Sequence, residues 1–195
     1  LKIQTFNTHE SFYHGLVRSK LWLCENLEEI IDNIPITEPE LHVLGCWDNL
    51  LSFMLFIRRP NFYSKSYGYD IDTLAIENAN KLCDAWINNT PNIVNINVDV
   101  NIIDLEFTHN TVIINCSTEH IEDDIWYKKI PKGQLVCLQS TNVEDENFPW
   151  LIKKPNLSLK DFKKRFPMTT LLYEGTKEIR YEHFGYDRFM LIGIK

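Results

Sequence analysis

Short apolar runs that stop at a glycine or a polar residue and lead into helical spacing recur from Leu41 onward, and no other feature restricts the fold as much. The clearest run is Thr111-Val112-Ile113-Ile114-Asn115. It is too short for a helix, and its unbroken apolar character fits a strand covered on both faces. Strands alternating with helices build a parallel sheet between two helical layers. On this pattern the first strand is 41–45, followed by a helix from an Asp48 cap to 57. The second is 65–70, with a helix capped by Asp72 or Thr73 and running through 87. The third strand is 93–98, the fourth 111–115 with a short helix over 122–128, and the fifth 134–139.

After the fifth strand the pattern changes. Residues 141–157 read as a polar loop anchored by Phe148, Pro149 and Trp150, and Ser158 caps a helix to 166 with Asp161 three residues on. The last two strands, 168–174 and 188–194, are separated by a turn region over 175–185. That region is too short for a crossover helix with its loops, so the pair must be an antiparallel hairpin. At the other end, residues 1–34 read as one or two helices, closed by Pro35 and Pro39. The expected architecture is a doubly wound, Rossmann-like α/β domain over all 195 residues, with an N-terminal helical cap at 1–34 and a core at 36–195. Its seven-stranded sheet is mostly parallel, finished by an antiparallel C-terminal hairpin strand.

Hydrophobic residues make up 44% of the chain and aromatic residues 12%, which supplies an ordinary globular core. No apolar run approaches the roughly 20 residues of a membrane helix. Lys2, Thr5, Asn7, His9 and Glu10 interrupt the opening, unlike a signal peptide. The expectation is a soluble, cytoplasmic protein without a membrane partner. Five scattered cysteines without a Cys-x-x-Cys pair argue against a zinc site and against a disulfide framework. The net charge of -7 repels phosphate backbones, so nucleic acid is a poor partner and a small molecule a better one.

In a doubly wound sheet, ligands bind outside the carboxyl ends of the strands, where a glycine admits close backbone approach and an acid reaches ribose hydroxyls. Gly45 ends the first strand, and Asp70 ends the second 25 residues later. The loop after the fourth strand carries Ser117, Glu119 and His120. Histidine titrates near neutral pH, which makes His120 the candidate base, and Glu119 could orient an amine. Gln139, Ser140 and Asn142 cluster polar groups at the end of the fifth strand, and Lys20 on the N-terminal helix could face the same cleft, beside Ser19 and Trp22. Asn115 is not followed by Pro-Pro and an aromatic residue, so base modification is disfavoured. A Gly-x-x-x-x-Gly-Lys loop and a deaminase zinc signature are also missing.

The order of strands and helices resembles the class I S-adenosylmethionine-dependent methyltransferases over roughly residues 36–195. Similar stretches to Ile113-Ile114-Asn115-Cys116-Ser117-Thr118-Glu119-His120, Ile130-Pro131-Lys132-Gly133, Cys137-Leu138-Gln139-Ser140-Thr141-Asn142 and Tyr186-Asp187-Arg188-Phe189 occur in small methyltransferase-like proteins of bacteria and their phages. The resemblance implies S-adenosylmethionine as cofactor. Gly45, Cys46 and Trp47 then form its first loop, with Trp47 available for a cation–π contact to the sulfonium. Asp70 and Ile71 lie at the ribose, Asp99 and Val100 at the adenine, and Asn115 and Cys116 beside the methionine part. His120 and Glu119 become the catalytic pair, and Ser117, Gln139, Ser140, Asn142 and Lys20 the acceptor contacts.

One departure stands out. The family usually shows two or three glycines after the first strand, whereas Cys46-Trp47-Asp48 follows a single Gly45 here. It motivates one rival, a non-catalytic binding protein that kept the fold; a second, transfer of the donor's aminocarboxypropyl group, rests on a fifth-strand ending similar to that of nicotianamine synthase-like enzymes. A nicotinamide oxidoreductase is disfavoured by the same shortage of glycines.

Overall fold

The computed structural model describes residues 12–84, 92–144 and 152–195. His9, the anchors Phe148, Pro149 and Trp150, and the end of the expected helix beyond 84 lie outside them. Among the described residues, one α-helix, α1 (His14–Asp32), precedes the sheet. The strands are β1 (Glu40–Leu44), β2 (Lys65–Asp70), β3 (Ile93–Asn97), β4 (Thr111–Asn115), β5 (Leu135–Thr141), β6 (Thr170–Arg180) and β7 (Gly185–Ile194). The other helices are α2 (Leu50–Arg58), α3 (Thr73–Asp84), α4 (Ile125–Lys129) and α5 (Leu159–Arg165). The strands lie in the order β3-β2-β1-β4-β5-β7-β6. β1 to β5 run parallel, and β7 is antiparallel to both β5 and β6.

Side chains of a strand point alternately to its two faces, and the central strands fill both sides accordingly. Val112, Ile114, Leu135, Cys137, Met190 and Ile192 join one core with α1 and α2. Ile113, Val136, Leu138, Phe189 and Leu191 join the other with α4 and α5. This two-sided burial is why β4 and β5 are continuously apolar.

Asp72 caps α3, its Oδ1 accepting the amides of Leu74 and Ala75 at 2.8 and 3.0 Å. Ser158 caps α5 by accepting the Asp161 amide at 3.2 Å while its hydroxyl donates to Asp161 Oδ2 at 2.6 Å.

Two expectations need correction. The strand–helix alternation lapses between β3 and β4, where residues 98–110 hold no helix. Ile103, Leu105 and Phe107 pack onto the second core from that segment, separated by the exposed Asp104 and Glu106. Their spacing of two is that of extended chain, so an extended segment covers the face a helix would have covered. The hairpin is also longer than expected, since 175–180 and 185–187 are strand and only 181–184 turn. Gly175 stands within β6 because Trp22 of α1 lies on it: an added Cβ would sit 2.9 Å from Trp22 Cζ2.

Gly68 has a comparable role beneath the first loop. A Cβ there would sit 2.5 Å from Asn49 Nδ2, 2.8 Å from Asn95 Oδ1 and 2.9 Å from Cys46 Sγ. Gly68→Ala is therefore expected to force apart the Asn49–Asn95 hydrogen bond and lower stability by about 1–3 kcal/mol, as overpacking does. Urea unfolding measures this, and an unchanged midpoint would show that the loop yields.

Candidate cofactor crevice

The chain leaves β1 through Gly45, at φ +64°, and Trp47 and Asn49 also have left-handed backbone, at φ 55° and 54°. For residues with a Cβ that region costs roughly 1–2 kcal/mol each. Side chains and amides hold it in place. The Trp47 amide donates to Asp70 Oδ2 at 2.7 Å, and the Asn49 amide to the Cys46 carbonyl at 2.9 Å. Asn49 Nδ2 reaches Asn95 Oδ1 at 2.8 Å, and Ser52 Oγ donates to Asn49 Oδ1 at 2.6 Å. Asp48 Oδ1 accepts the Leu50 amide at 3.3 Å, one residue outside the helix that Asp48 was expected to cap directly. The conformation that glycines would adopt freely is here enforced by polar contacts.

Asp70 joins the ends of two strands. Its second oxygen accepts the Asp72 amide at 3.0 Å, and the side chain is nearly buried. Burial raises its pKa, against the pull of the Asp72 and Trp47 amides and of nearby His120. The loop after β4 thus faces the loop after β1, and Ile121 Cδ1 comes within 4.0 Å of where a Gly45 Cβ would stand. Ile71, beyond Asp70, is 70% exposed on the rim. Asp99 accepts the Asn101 amide at 2.8 Å and opens the turn after β3, while Val100 is buried in the second core. Burial raises the thiols of Cys46 and Cys116 above their ordinary range, so both stay protonated at neutral pH.

Two arginines fix the loop after β4. Arg188 of β7, 4% exposed, donates from Nη1 to Glu119 Oε1 at 2.6 Å, from Nη2 to the Cys116 carbonyl, and from Nε to Ser19 Oγ at 3.3 Å. Arg165 of α5 donates to the carbonyls of Thr118 and Ile121 at 3.2 and 3.3 Å, and pairs with Asp124 at 2.7 Å. Burial pushes the Asp124 carboxyl up, but Arg165 and Lys154 outweigh it and hold the pKa below the ordinary value of 3.8. The pair therefore adds stability above that value, and loses it as pH falls through the lower folded one. Asp124→Asn should be less stable than the parent near neutral pH, with the gap closing as pH falls from 3.8 through the lower folded pKa. Urea unfolding followed from neutral pH into acid tests this, and a gap independent of pH would remove the ion pair from the account.

The expected acceptor residues are differently placed. Gln139 exchanges hydrogen bonds with Ser19, at 3.1 Å to its hydroxyl and 3.0 Å to its carbonyl. Ser140 Oγ accepts from Asn156 at 2.7 Å, and Asn142 is bound to Asp187. These three brace α1, the 152–158 segment and the β5–β7 ladder. Ser117 is half-buried, and its hydroxyl makes no hydrogen bond among the described residues. His120 is half-buried beside Asp70. Lys20 neighbours Cys116, Asp48, Arg188 and Cys24, and burial lowers its pKa. Ser19 was foreseen beside the cleft. Arg188 was not singled out, although a charged residue opening the apolar run 189–192 is a signal of a buried pair.

The strand order and the antiparallel β7 are the fold of class I S-adenosylmethionine-dependent methyltransferases. Magnesium protoporphyrin IX methyltransferase of Synechocystis, solved with bound S-adenosylmethionine, superposes with a TM-score of 0.62 at 9% identity, over 91% of this chain and 81% of that one. The YcgJ protein of Bacillus subtilis gives 0.68 at 10% identity, over 90% and 98%. The N-methyltransferase NodS of Bradyrhizobium japonicum, with S-adenosyl-L-homocysteine, gives 0.62 at 11%, over 91% and 87%. No family model and no curated protein matches the chain. Among the described residues, no helix is long and apolar enough to cross a membrane, and no group of three His, Cys, Asp or Glu side chains could hold a metal ion.

Proposed function

We propose that the chain is an S-adenosylmethionine-dependent methyltransferase acting on a small molecule inside the cell. The observation that carries this is Asp70, whose carboxylate ends β2 and clamps the amide of Trp47 in the loop after β1, at 2.7 Å. Each carboxylate oxygen spends one lone pair on a backbone amide and keeps another for a ribose hydroxyl. Gly45 adds an open backbone beside it, and the loop after β4 closes the opposite wall. The residues present fit the cofactor.

Bound, S-adenosylmethionine supplies an electrophilic methyl group on a sulfonium. The chain's own residues then hold donor and acceptor in line, which is where most of the rate enhancement of such a displacement can arise. Asp70 orients the ribose, and Asp99 with Ile71 and Val100 frames the adenine. Asn115 and Cys116 flank the methionine part, and Trp47 lies at the turn beside it. His120 takes a proton from the acceptor where one must leave. Glu119, its Oε1 held in place by Arg188, orients a cationic acceptor rather than serving as a mobile base. Ser117 and Lys20 contact the acceptor, whereas Gln139, Ser140 and Asn142 support that wall from behind.

Titration calorimetry with S-adenosylhomocysteine is expected to give one site per chain. No heat with either donor or product would remove the proposal. Methylthioadenosine among the products would reassign the chain to aminocarboxypropyl transfer.

A further inference from the structure

Of the aromatic side chains among the described residues, only Phe12, Tyr13, Tyr181 and Phe184 are exposed, by 43–59%, and the four lie at one place. Phe12 and Tyr13 lead into α1, and Tyr181 and Phe184 stand in the turn between β6 and β7. The Gly15 amide joins the two by donating to the Tyr181 hydroxyl at 3.0 Å. The Tyr186 hydroxyl bonds that of Tyr181 and lies against the same glycine, where an added Cβ would stand 2.6 Å from it. With both hydroxyls turned onto α1, the rings are left with their carbon faces to present. Tyr181 and Phe184 are within 22° of parallel with centroids 6.4 Å apart, and Tyr186 follows at 5.7 Å from Phe184 and 39°. Single apolar residues scattered on a surface mean little, but a grouped set marks a place of contact.

The group is continuous with the crevice. β5 pairs with β7 as far as Thr141 and Arg188, whereas 185–187 pair with β6 alone. The hairpin therefore overshoots the carboxyl end of β5, where the crevice lies, by roughly 10 Å. Tyr186 is two residues from Arg188 and so on the same face of β7, and Arg188 holds Glu119 in the loop after β4. On α1, Gly15 beneath the rings is about one turn from Ser19, which Arg188 also binds. The rings are out of the donor's reach. From Asp70 to β7 is four strand spacings, about 19 Å. The roughly nine bonds from a ribose hydroxyl to the donor's carboxylate span only about 11 Å at full stretch.

Resting on the methyltransferase proposal, we infer that the overshooting hairpin is the outer wall of the acceptor site and selects an acceptor that carries a flat aromatic ring. Near-parallel rings offer a common face on which another ring stacks offset, a contact that a puckered aliphatic group does not reproduce. The acceptor's ring lies on Phe184 and Tyr181, and its reacting atom extends inward past Tyr186 toward Glu119. Phe184 stands about 13 Å along the strand from Arg188, so ring and reacting atom belong to opposite ends of an elongated molecule.

Saturation-transfer NMR in the presence of S-adenosylhomocysteine is the test, with 4-phenylbutylamine and 4-phenylbutan-1-ol as probes and their cyclohexyl counterparts as controls. The parent should bind at least one phenyl probe, with saturation strongest on the ring protons, and bind its cyclohexyl counterpart at least about threefold more weakly. Phe184→Leu keeps an apolar side chain and removes the ring. It should weaken the phenyl probe about three- to tenfold, with an unchanged urea midpoint and an affinity for S-adenosylhomocysteine within about twofold of the parent. Should that variant lose its fold, the comparison of phenyl with cyclohexyl probes on the parent still decides.

No binding of either phenyl probe, equal binding of phenyl and cyclohexyl probes, or a phenyl affinity unmoved in a folded Phe184→Leu would each overturn the inference. So would sedimentation of the parent as a dimer that Phe184→Leu dissociates, because the rings would then be a contact between two copies. Ring-dependent binding by a parent that does not bind S-adenosylhomocysteine would keep the aromatic selectivity of this wall and remove the methyltransferase proposal.

Discussion

Asp70→Ala should weaken S-adenosylhomocysteine binding by at least about a hundredfold. A hydrogen bond to a charged group contributes about 1.5–3 kcal/mol, and each 1.4 kcal/mol is roughly a factor of ten, so losing two ribose contacts alone reaches that range. The variant also releases the Trp47 amide from its 2.7 Å bond, and with it the left-handed turn on which the loop depends. Asp70→Asn separates the two effects. Its one amide oxygen can still accept a backbone amide, but the charge is gone and an NH2 group opposes the other donor. Binding should fall in both variants, with more of the fold's stability kept in Asp70→Asn.

The pH dependence has a definite sign. Burial holds the folded pKa of Asp70 above 3.8. Its contribution to stability is therefore full below that value and is lost as pH rises through the folded one. The parent should gain stability relative to Asp70→Asn as the solution is acidified towards about pH 4. Unchanged nucleoside binding in Asp70→Ala would remove the ribose assignment altogether.

The second large effect is expected at Arg188. Arg188→Met strands the Glu119 carboxylate, which is 1% exposed, and withdraws donors from the Cys116 carbonyl and from Ser19. Breaking one partner of a buried ion pair costs about 3–5 kcal/mol, against a total stability of roughly 5–15 kcal/mol for a domain. The double variant Arg188→Met with Glu119→Leu should recover most of that loss, since a buried pair replaced by packed apolar groups is often neutral. Denaturant unfolding of both single variants and the double gives the coupling directly. Additive losses would show that the two side chains do not act as a pair.

The central sheet was legible because its strands are buried on both faces and so carry unbroken apolar runs, as in Val112–Ile114. Gly45 and Asp70 could be placed for the same reason: each ends such a run. The outer parts were less legible. β6 is an edge strand whose residues are mostly exposed, so its polar half reads as loop, and Gly175 reads as a turn signal although its role is to admit Trp22. The segment over 98–110 is hard to read because its apolar residues are spaced for extended chain in a place where alternation prepares for a helix. The first loop misled in another way. A shortage of glycine suggested a degraded site, but backbone freedom can be replaced by restraint, and the amide contacts of Asp70, Asn95 and Ser52 are long-range facts that spacing along the chain does not display. Gln139, Ser140 and Asn142 showed polarity at the right strand end, yet polarity alone does not say whether a side chain meets a ligand or the back of a helix.

β7 is the last of the seven strands to leave the ribosome, and it inserts between two made earlier, β5 and β6. Until it does so, β5 has an open edge and Glu119 has no cation. A nascent chain can therefore lay down the β1 and β2 side of the crevice long before the opposite wall exists, so that the proposed site is completed in a single late step.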